Sequence, residues 1–242
     1  MGSRISDARK RIYRSLKYRL MRPAPPVAHF RFSGPVVVVG SAPVSHKPVG
    51  WSENYSTITI NGSQSVMETW GIGTPDITFM MFNQVAGTTK NAIEVRRVLK
   101  GKRTRALYVL LWRKDKRREL EEGLRAFDYK YDSLYIVDRY ERMALLDRVA
   151  GLRSLELNAD SKCSNGMNAV LFALYNGAPA VIITGINPNS AGHSYNQVGL
   201  ARLHVHMDKE LIARLLSQGR PIFTADPMVS EELGIPLWSG RY

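Results

Sequence analysis

At 242 residues, with 44% hydrophobic and 23% charged side chains, the chain can bury one sizeable core and lacks the make-up of a disordered or disulfide-rich protein. Its single cysteine, Cys163, excludes an internal disulfide and a cysteine-built zinc cluster, and no apolar run reaches the roughly 20 residues needed to span a bilayer. The net charge of +13 is spread unevenly.

Much of the excess lies at the start. Residues 1–22 hold eight basic residues (Arg4, Arg9, Lys10, Arg11, Arg14, Lys17, Arg19, Arg22) against one acid, Asp7. Ile5, Ala8, Ile12, Tyr13, Leu16 and Leu20 recur at helical spacing, which predicts a helix with a narrow apolar stripe between cationic flanks. Such a helix suits an anionic membrane surface through residues 4–22. The alternatives are an ordinary terminal helix docked on the domain and, on charge alone, RNA, which makes nucleic acid the weaker partner. Pro23, Pro25 and Pro26 end the helix, so residues 1–26 read as an arm and linker and residues 27–242 as a single α/β domain. With no signal-peptide pattern, the expected location is cytoplasmic, peripheral on the inner membrane.

Beyond the linker, short β-branched or aromatic runs predict strands at Val36–Val39, Tyr55–Ile60, Ile77–Phe82, Leu107–Trp112, Ser133–Val137, Val181–Thr184 and Ile222–Thr224. Helical patterns fall between most of them, at Lys90–Leu99, Asp115–Phe127, Tyr140–Val149, Gly166–Asn176 and Asp208–Ser217. This alternation predicts a Rossmann-like, mostly parallel sheet with helices on both faces and ligands beyond the carboxyl ends of the strands. Basic clusters at Arg96–Arg105 and Arg113–Arg118, running into Glu119, Glu121 and Glu122, read as solvated helix faces with i,i+4 pairing. The irregular polar stretch at about residues 188–207 reads as a short lid.

Three strand ends finish in small or amide residues: Gly40-Ser41-Ala42-Pro43, Asn61-Gly62 and Asn83-Gln84. An asparagine past a buried strand can donate and accept at once, which suits sugar hydroxyls and base edges; the plain alternative is that these residues only turn the chain. Gly-x-Gly-x-x-Gly and P-loop patterns are missing, as is any Asp-x-Asp pair to hold a metal on a diphosphate. Positive charge for a phosphate therefore falls to side chains and helix ends. Lys162, before the Ser164-Asn165-Gly166 turn and the helix it opens, is placed for that. His29 and His46 lie in amino-terminal loops and read as incidental. His193, His204 and His206 fall in or beside the lid, where an imidazole can take a proton near neutral pH. His204 and His206 could also read as a metal pair, without a third ligand pattern; Cys163 reads as a buried thiol before a nucleophile.

These residues resemble glycosyltransferase family 42, bacterial sialyltransferases and related enzymes that use CMP-linked nine-carbon sugars. The likeness runs roughly over Val36–Pro227 and rests on short stretches. The family's opening Gly-Asn-Gly-Pro-Ser turn corresponds to Gly40-Ser41-Ala42-Pro43-Val44, with Ser41 in place of the nucleotide-contacting asparagine. Two further nucleotide-binding asparagines correspond to Asn61 and Asn83. The Thr-Ser-Gly turn, helix and Ser-Gly-Ile-Asp strand end fall ungapped on Ser164-Asn165-Gly166 through Thr184-Gly185-Ile186-Asn187. A phosphate-supporting tyrosine corresponds to Tyr195, ten residues after Gly185. Lys162 stands for a family arginine and Asn189 for a second tyrosine. The catalytic histidine corresponds to His204 with a one-residue deletion, or to its rival His206.

The resemblance implies a GT-A-like fold and a metal-independent, inverting transfer of a sialic acid-type sugar from a CMP donor to a glycan or glycolipid hydroxyl. It implies His204 or His206 as the base, Tyr195 at the departing phosphate, and donor binding by Gly40, Ser41, Ala42, Asn61, Asn83, Lys162, Ser164, Asn165, Gly166, Gly185, Asn187 and Asn189. No cofactor is then needed, and the family's tetramers imply a homo-oligomer. The departures at Ser41 and Asn189 leave a catalytically inactive CMP-sugar-binding module as an alternative, beside a basic membrane- or RNA-associated protein.

Overall fold

The computed structural model describes residues 2–110, 114–190, 192–195 and 203–241. At its centre, β1 (Val36–Val39) is four valines buried on both faces, as a middle strand of a parallel sheet must be. β2 (Ser56–Ile60), β3 (Ile77–Met81), β4 (Arg103–Leu110) and β5 (Lys130–Val137) extend the sheet from one edge of β1. β6 (Val181–Thr184) and β7 (Ile222–Thr224) extend it from the other, giving the order β5-β4-β3-β2-β1-β6-β7. Among the described residues every strand pairing is parallel, in keeping with the expected parallel sheet.

Alternation along the strands divides the core. Val36, Val38, Ile58, Phe79 and Tyr108 face α6 (Arg139–Ala150), α7 (Asn165–Tyr175) and α8 (Val205–Ser217). The opposite face is covered by α2 (Gln64–Glu68) under Val37 and Val39, and by α4 (Lys90–Leu99) and α5 (Arg117–Ala126) under Met80, Leu107 and Val109. Helices therefore lie on both faces. Caps explain two boundaries: Asp138 and Glu141 close a capping box on α6, which stops at Gly151 with φ +66°, and the Ser164 hydroxyl accepts from the Met167 amide to open α7.

The expected strands at β1, β6 and β7 have the observed bounds. β4 begins four residues before the expected Leu107, and its expected end at Leu111 and Trp112 lies outside the described residues. Phe82–Ala86 forms a short helix, α3, where a strand end was expected, because Arg96 donates from Nη1 to the carbonyls of Gln84, Val85 and Gly87. α9 (Pro227–Leu233) was not expected at all. The charged helix faces pair as anticipated, with Arg117–Glu121 at 2.9 Å and Arg118–Glu122 at 2.8 Å.

Residues Gly2–Met21 form the expected arm helix, α1. It meets the domain through polar groups. The Arg14 guanidinium donates to the carbonyls of Leu155 (2.9 Å) and Glu156 (2.5 Å), the Tyr18 hydroxyl to Asp147 at 3.2 Å, and Lys17 lies over the Tyr140 ring. The linker is stitched down by Asn176, whose side chain bonds the Ala28 amide and the Pro26 carbonyl.

Candidate active-site crevice

The strand order reverses at β1, and a parallel sheet opens a crevice at the carboxyl ends flanking such a reversal. Here β1 and β6 end side by side in Gly40 and Gly185. Their backbones are so close that a Cβ on Gly40 would lie 2.2 Å from the Gly185 carbonyl oxygen. Gly185 has φ +62°, which a side chain would strain. The Gly40 amide donates to the Thr184 carbonyl and the Ala42 amide to that of Gly185.

A buried carboxylate fixes this junction. Asp226, 2% exposed, accepts from the Gly185 amide (2.7 Å), the Thr184 hydroxyl (3.1 Å) and the His46 amide (2.9 Å), and pairs with His46 Nδ1 at 2.9 Å. In the sequence alone His46 reads as an incidental loop histidine and Asp226 carries no site pattern. The pattern Thr184-Gly185 held the only local signal, since the partners lie 41 and 180 positions apart.

The described part of the lid folds onto the β1 turn. Ser194 donates its amide to the Ser41 carbonyl at 2.8 Å, and the Ser41 hydroxyl meets His193 Nδ1 at 2.7 Å. The His193 ring stacks on Tyr195, centroids 5.3 Å apart and 2° from parallel. Tyr195 lies against Gly62, where a Cβ would approach its ring to 2.9 Å. His193, unranked as a site residue, is thus between two that were ranked. Residues 191 and 196–202 of the expected lid lie outside the described residues.

Asn61 has φ +51°, and its Oδ1 accepts from the Met81 amide at 3.0 Å, tying the ends of β2 and β3. What it can still present to a ligand is the Nδ2 donor and the second lone pair of Oδ1. Asn83 lies exposed in the first turn of α3, with Gln84 donating to its Oδ1 at 3.3 Å. Gly166, in the first turn of α7, leaves room for Ile186: a Cβ there would lie 3.0 Å from the isoleucine Cδ1. Small residues at 40, 62, 166 and 185 thus let β1, β2, β6 and the α7 amino terminus converge. Asn187 and Asn189 both donate to Glu232 of α9, at 3.2 and 2.8 Å, so their amides are engaged on that side.

A second cluster adjoins the amino terminus of α7. Asp208, in the first turn of α8, accepts from the Ser164 amide at 2.8 Å and joins the two helix starts. Next to it, His204 Nδ1 lies 2.9 Å from the Ala159 carbonyl oxygen. A carbonyl only accepts, so Nδ1 carries the hydrogen and neutral His204 has its lone pair on Nε2. His206 is on the exposed face of α8. Burial lowers the Lys162 pKa; Glu156 opposes this and Arg139, Arg142 and Arg14 add to it. Glu156 itself is buried against Arg142 in a two-point ion pair, 3.1 Å to Nε and 2.5 Å to Nη2. The Cys163 thiol is pushed far up by burial and by the negative charges of Asp208 and Glu156, which marks it as an inert thiol. Among the described residues, no group of three or more His, Cys, Asp and Glu side chains could hold a metal ion.

No protein-family model matches the chain, and no curated protein matches it. Solved structures do. The chain is similar to the monofunctional alpha-2,3-sialyltransferase Cst-I from Campylobacter jejuni, with TM-score 0.56 and 12% identity over 89% of this chain and 85% of that one. It is similar to the sialyltransferase CST-II in complex with trisaccharide acceptor and CMP, with TM-score 0.54 and 10% identity over 85% and 86% of the two chains. CstII from Campylobacter jejuni with the substrate analogue CMP-3FNeuAc gives TM-score 0.50 and 12% identity over 86% and 87%. At these identities the likeness is one of fold: a parallel α/β sheet shared over nearly the whole of both chains.

Proposed function

We propose that the protein is a glycosyltransferase of the sialyltransferase type, moving a sialic acid-type sugar from a CMP donor to a glycan hydroxyl with inversion and without a metal. The observation that carries this reading is the convergence of Gly40, Ser41, Asn61, Tyr195 and Gly166 at the strand reversal, in a fold shared with proteins solved with CMP and with a trisaccharide acceptor. In this reading His204 Nε2 takes the acceptor hydroxyl proton as that oxygen bonds to the anomeric carbon. The bond from that carbon to the CMP phosphate oxygen breaks, and CMP departs with the electron pair.

Charge growing on the phosphate falls to Tyr195, to the amides opening α7, and to Lys162, whose partly desolvated ammonium gains from an anionic neighbour. The Ala159 carbonyl would hold His204 in the tautomer that can accept, and keep it so between turnovers. Replacing His204 with Ala is expected to lower transfer at least about 100-fold, the ordinary contribution of a positioned base, while CMP still protects against thermal unfolding. Loss of CMP protection in a folded His204→Ala protein would contradict the assignment.

A second reading, donor binding without turnover, is favoured by Ser41, whose hydroxyl meets His193 where the resembled family has an asparagine. A panel of CMP-sugars assayed for thermal protection and for transfer separates the two. Protection with no transfer to any glycan acceptor supports binding alone.

A further inference from the structure

The amino-terminal helix is turned the wrong way round for a docked helix. Normally the apolar stripe faces the domain and the charges face water. In α1, the groups that reach the domain are Arg14, Lys17 and Tyr18. A period of 3.6 residues places Ile12, Leu16 and Leu20 within about 80° of one another and about 180° from Arg14 and Tyr18. They are accordingly 61%, 53% and 82% exposed, and Tyr13 extends the same row. Such a contiguous aliphatic row on a soluble surface marks an interaction site.

Two further observations specify what covers it. Residues 1–22 carry a net charge of +7, with Arg9, Lys10, Arg11 and Arg19 all exposed; the same period puts Arg9 and Arg19 within about 60° of Leu16. Between α1 and α6 runs a groove of about 860 Å³ whose lining includes Arg19, Arg22, Arg148 and Arg153, with Asp147 as its acid. That acid is already engaged by Tyr18 and Arg153. The groove is a place for anionic headgroups at the edge of an apolar stripe.

We infer that α1 is an interfacial anchor that lies in the plane of an anionic lipid surface. Ile12, Leu16 and Leu20 enter the acyl boundary, and the arginines of the groove and flanks meet phosphate headgroups. A second copy of the chain would bring +7 against +7, which opposes pairing through this face. An RNA would satisfy the arginines but leave the aliphatic row in water. A bilayer with anionic headgroups satisfies both, and the helix supplies the moment and basic flanks that such binding uses.

The test is flotation of the full chain with vesicles of phosphatidylcholine alone or mixed with phosphatidylglycerol. Binding to the mixed vesicles is expected at least about tenfold tighter than to phosphatidylcholine, and weaker as salt rises. The triple variant I12S/L16S/L20S should lose at least about tenfold, and R9Q/K10Q/R19Q about a hundredfold, at roughly fivefold per charge. Both variants alter exposed side chains, so an unchanged thermal transition checks their folding. Three results overturn the inference. One is an absence of wild-type binding to either vesicle. Another is equal binding by wild type and I12S/L16S/L20S. The third is a vesicle-free oligomer that this variant converts to monomer, which would assign the face to a second copy.

Discussion

The crevice at the ends of β1 and β6 and the outer face of α1 depart from the usual inside-outside rule in opposite directions. At the crevice, polar groups are buried: Asp226, Thr184, Asn187 and Asp208 are each under 9% exposed and each has named partners. On α1, apolar side chains are exposed while an arginine and a tyrosine make the contacts inward. On the two proposals above, the difference lies in what each region would recognise. A crevice for a polar ligand needs fixed donors and acceptors, which burial and mutual hydrogen bonding provide. A surface for lipid needs unpaired apolar area, which only exposure provides. The two are joined by the segment 154–163, gripped by Arg14 at one end and ending beside Lys162 at the other.

If this contrast is right, the crevice should tolerate substitution poorly and the outer face of α1 well. The largest effect is expected at Gly40. Gly40→Val sets a branched side chain against the Gly185 backbone, which cannot move without separating β1 from β6. Overpacking of this kind should cost about 3 kcal/mol or more, read from denaturant unfolding. Asp226→Ala is next. It leaves the Gly185 amide without its acceptor, removes one of the two acceptors of the His46 amide, and should cost about 2–3 kcal/mol, and disturb donor protection more than stability alone explains.

Cys163 gives a pH signature. Its pKa is raised in the folded protein, so above the ordinary thiol value the unfolded chain releases its proton first and holds fewer protons than the native state. Stability should therefore be flat below about pH 8.5 and fall as pH rises beyond it, and Cys163→Ala should remove that component of the alkaline fall. Alkylation of the native thiol at neutral pH should be slow until the protein unfolds. The smallest effects belong to α1. Arg14→Ala should cost about 1 kcal/mol as two carbonyls lose their donor, whereas I12S/L16S/L20S should leave stability within about 0.5 kcal/mol. A large loss in that triple variant would mean the row is packed rather than displayed.

Much of the frame could be read from the residues in order. Four consecutive valines before Gly40, and the run from Ser164 through Thr184 to Gly185, show a buried strand, a capped helix and a second buried strand, because burial on both faces and capping are local in sequence. The short helices were harder. α3 has five residues, too few to show a period, and is held by Arg96 from another helix. α9 has Pro227 at its start and Gly234 at φ +67° at its end, a start-and-stop signature that was there to be read. The site was legible in its small and amide residues, but His46, Asp226 and His193 were not, since each is defined by a partner far along the chain.

The sequence by itself determined the alternation of strands and helices, the concentration of charge in the first 22 residues, and the small residues that end β1 and β6, all consequences of patterns only a few residues long. Tertiary structure alone decided which histidine is tied to a carbonyl, which carboxylate closes the β1–β6 junction, and which way the α1 stripe faces. A helix wheel shows that one face is apolar; only the groups packed against the other face show that it points away from the protein.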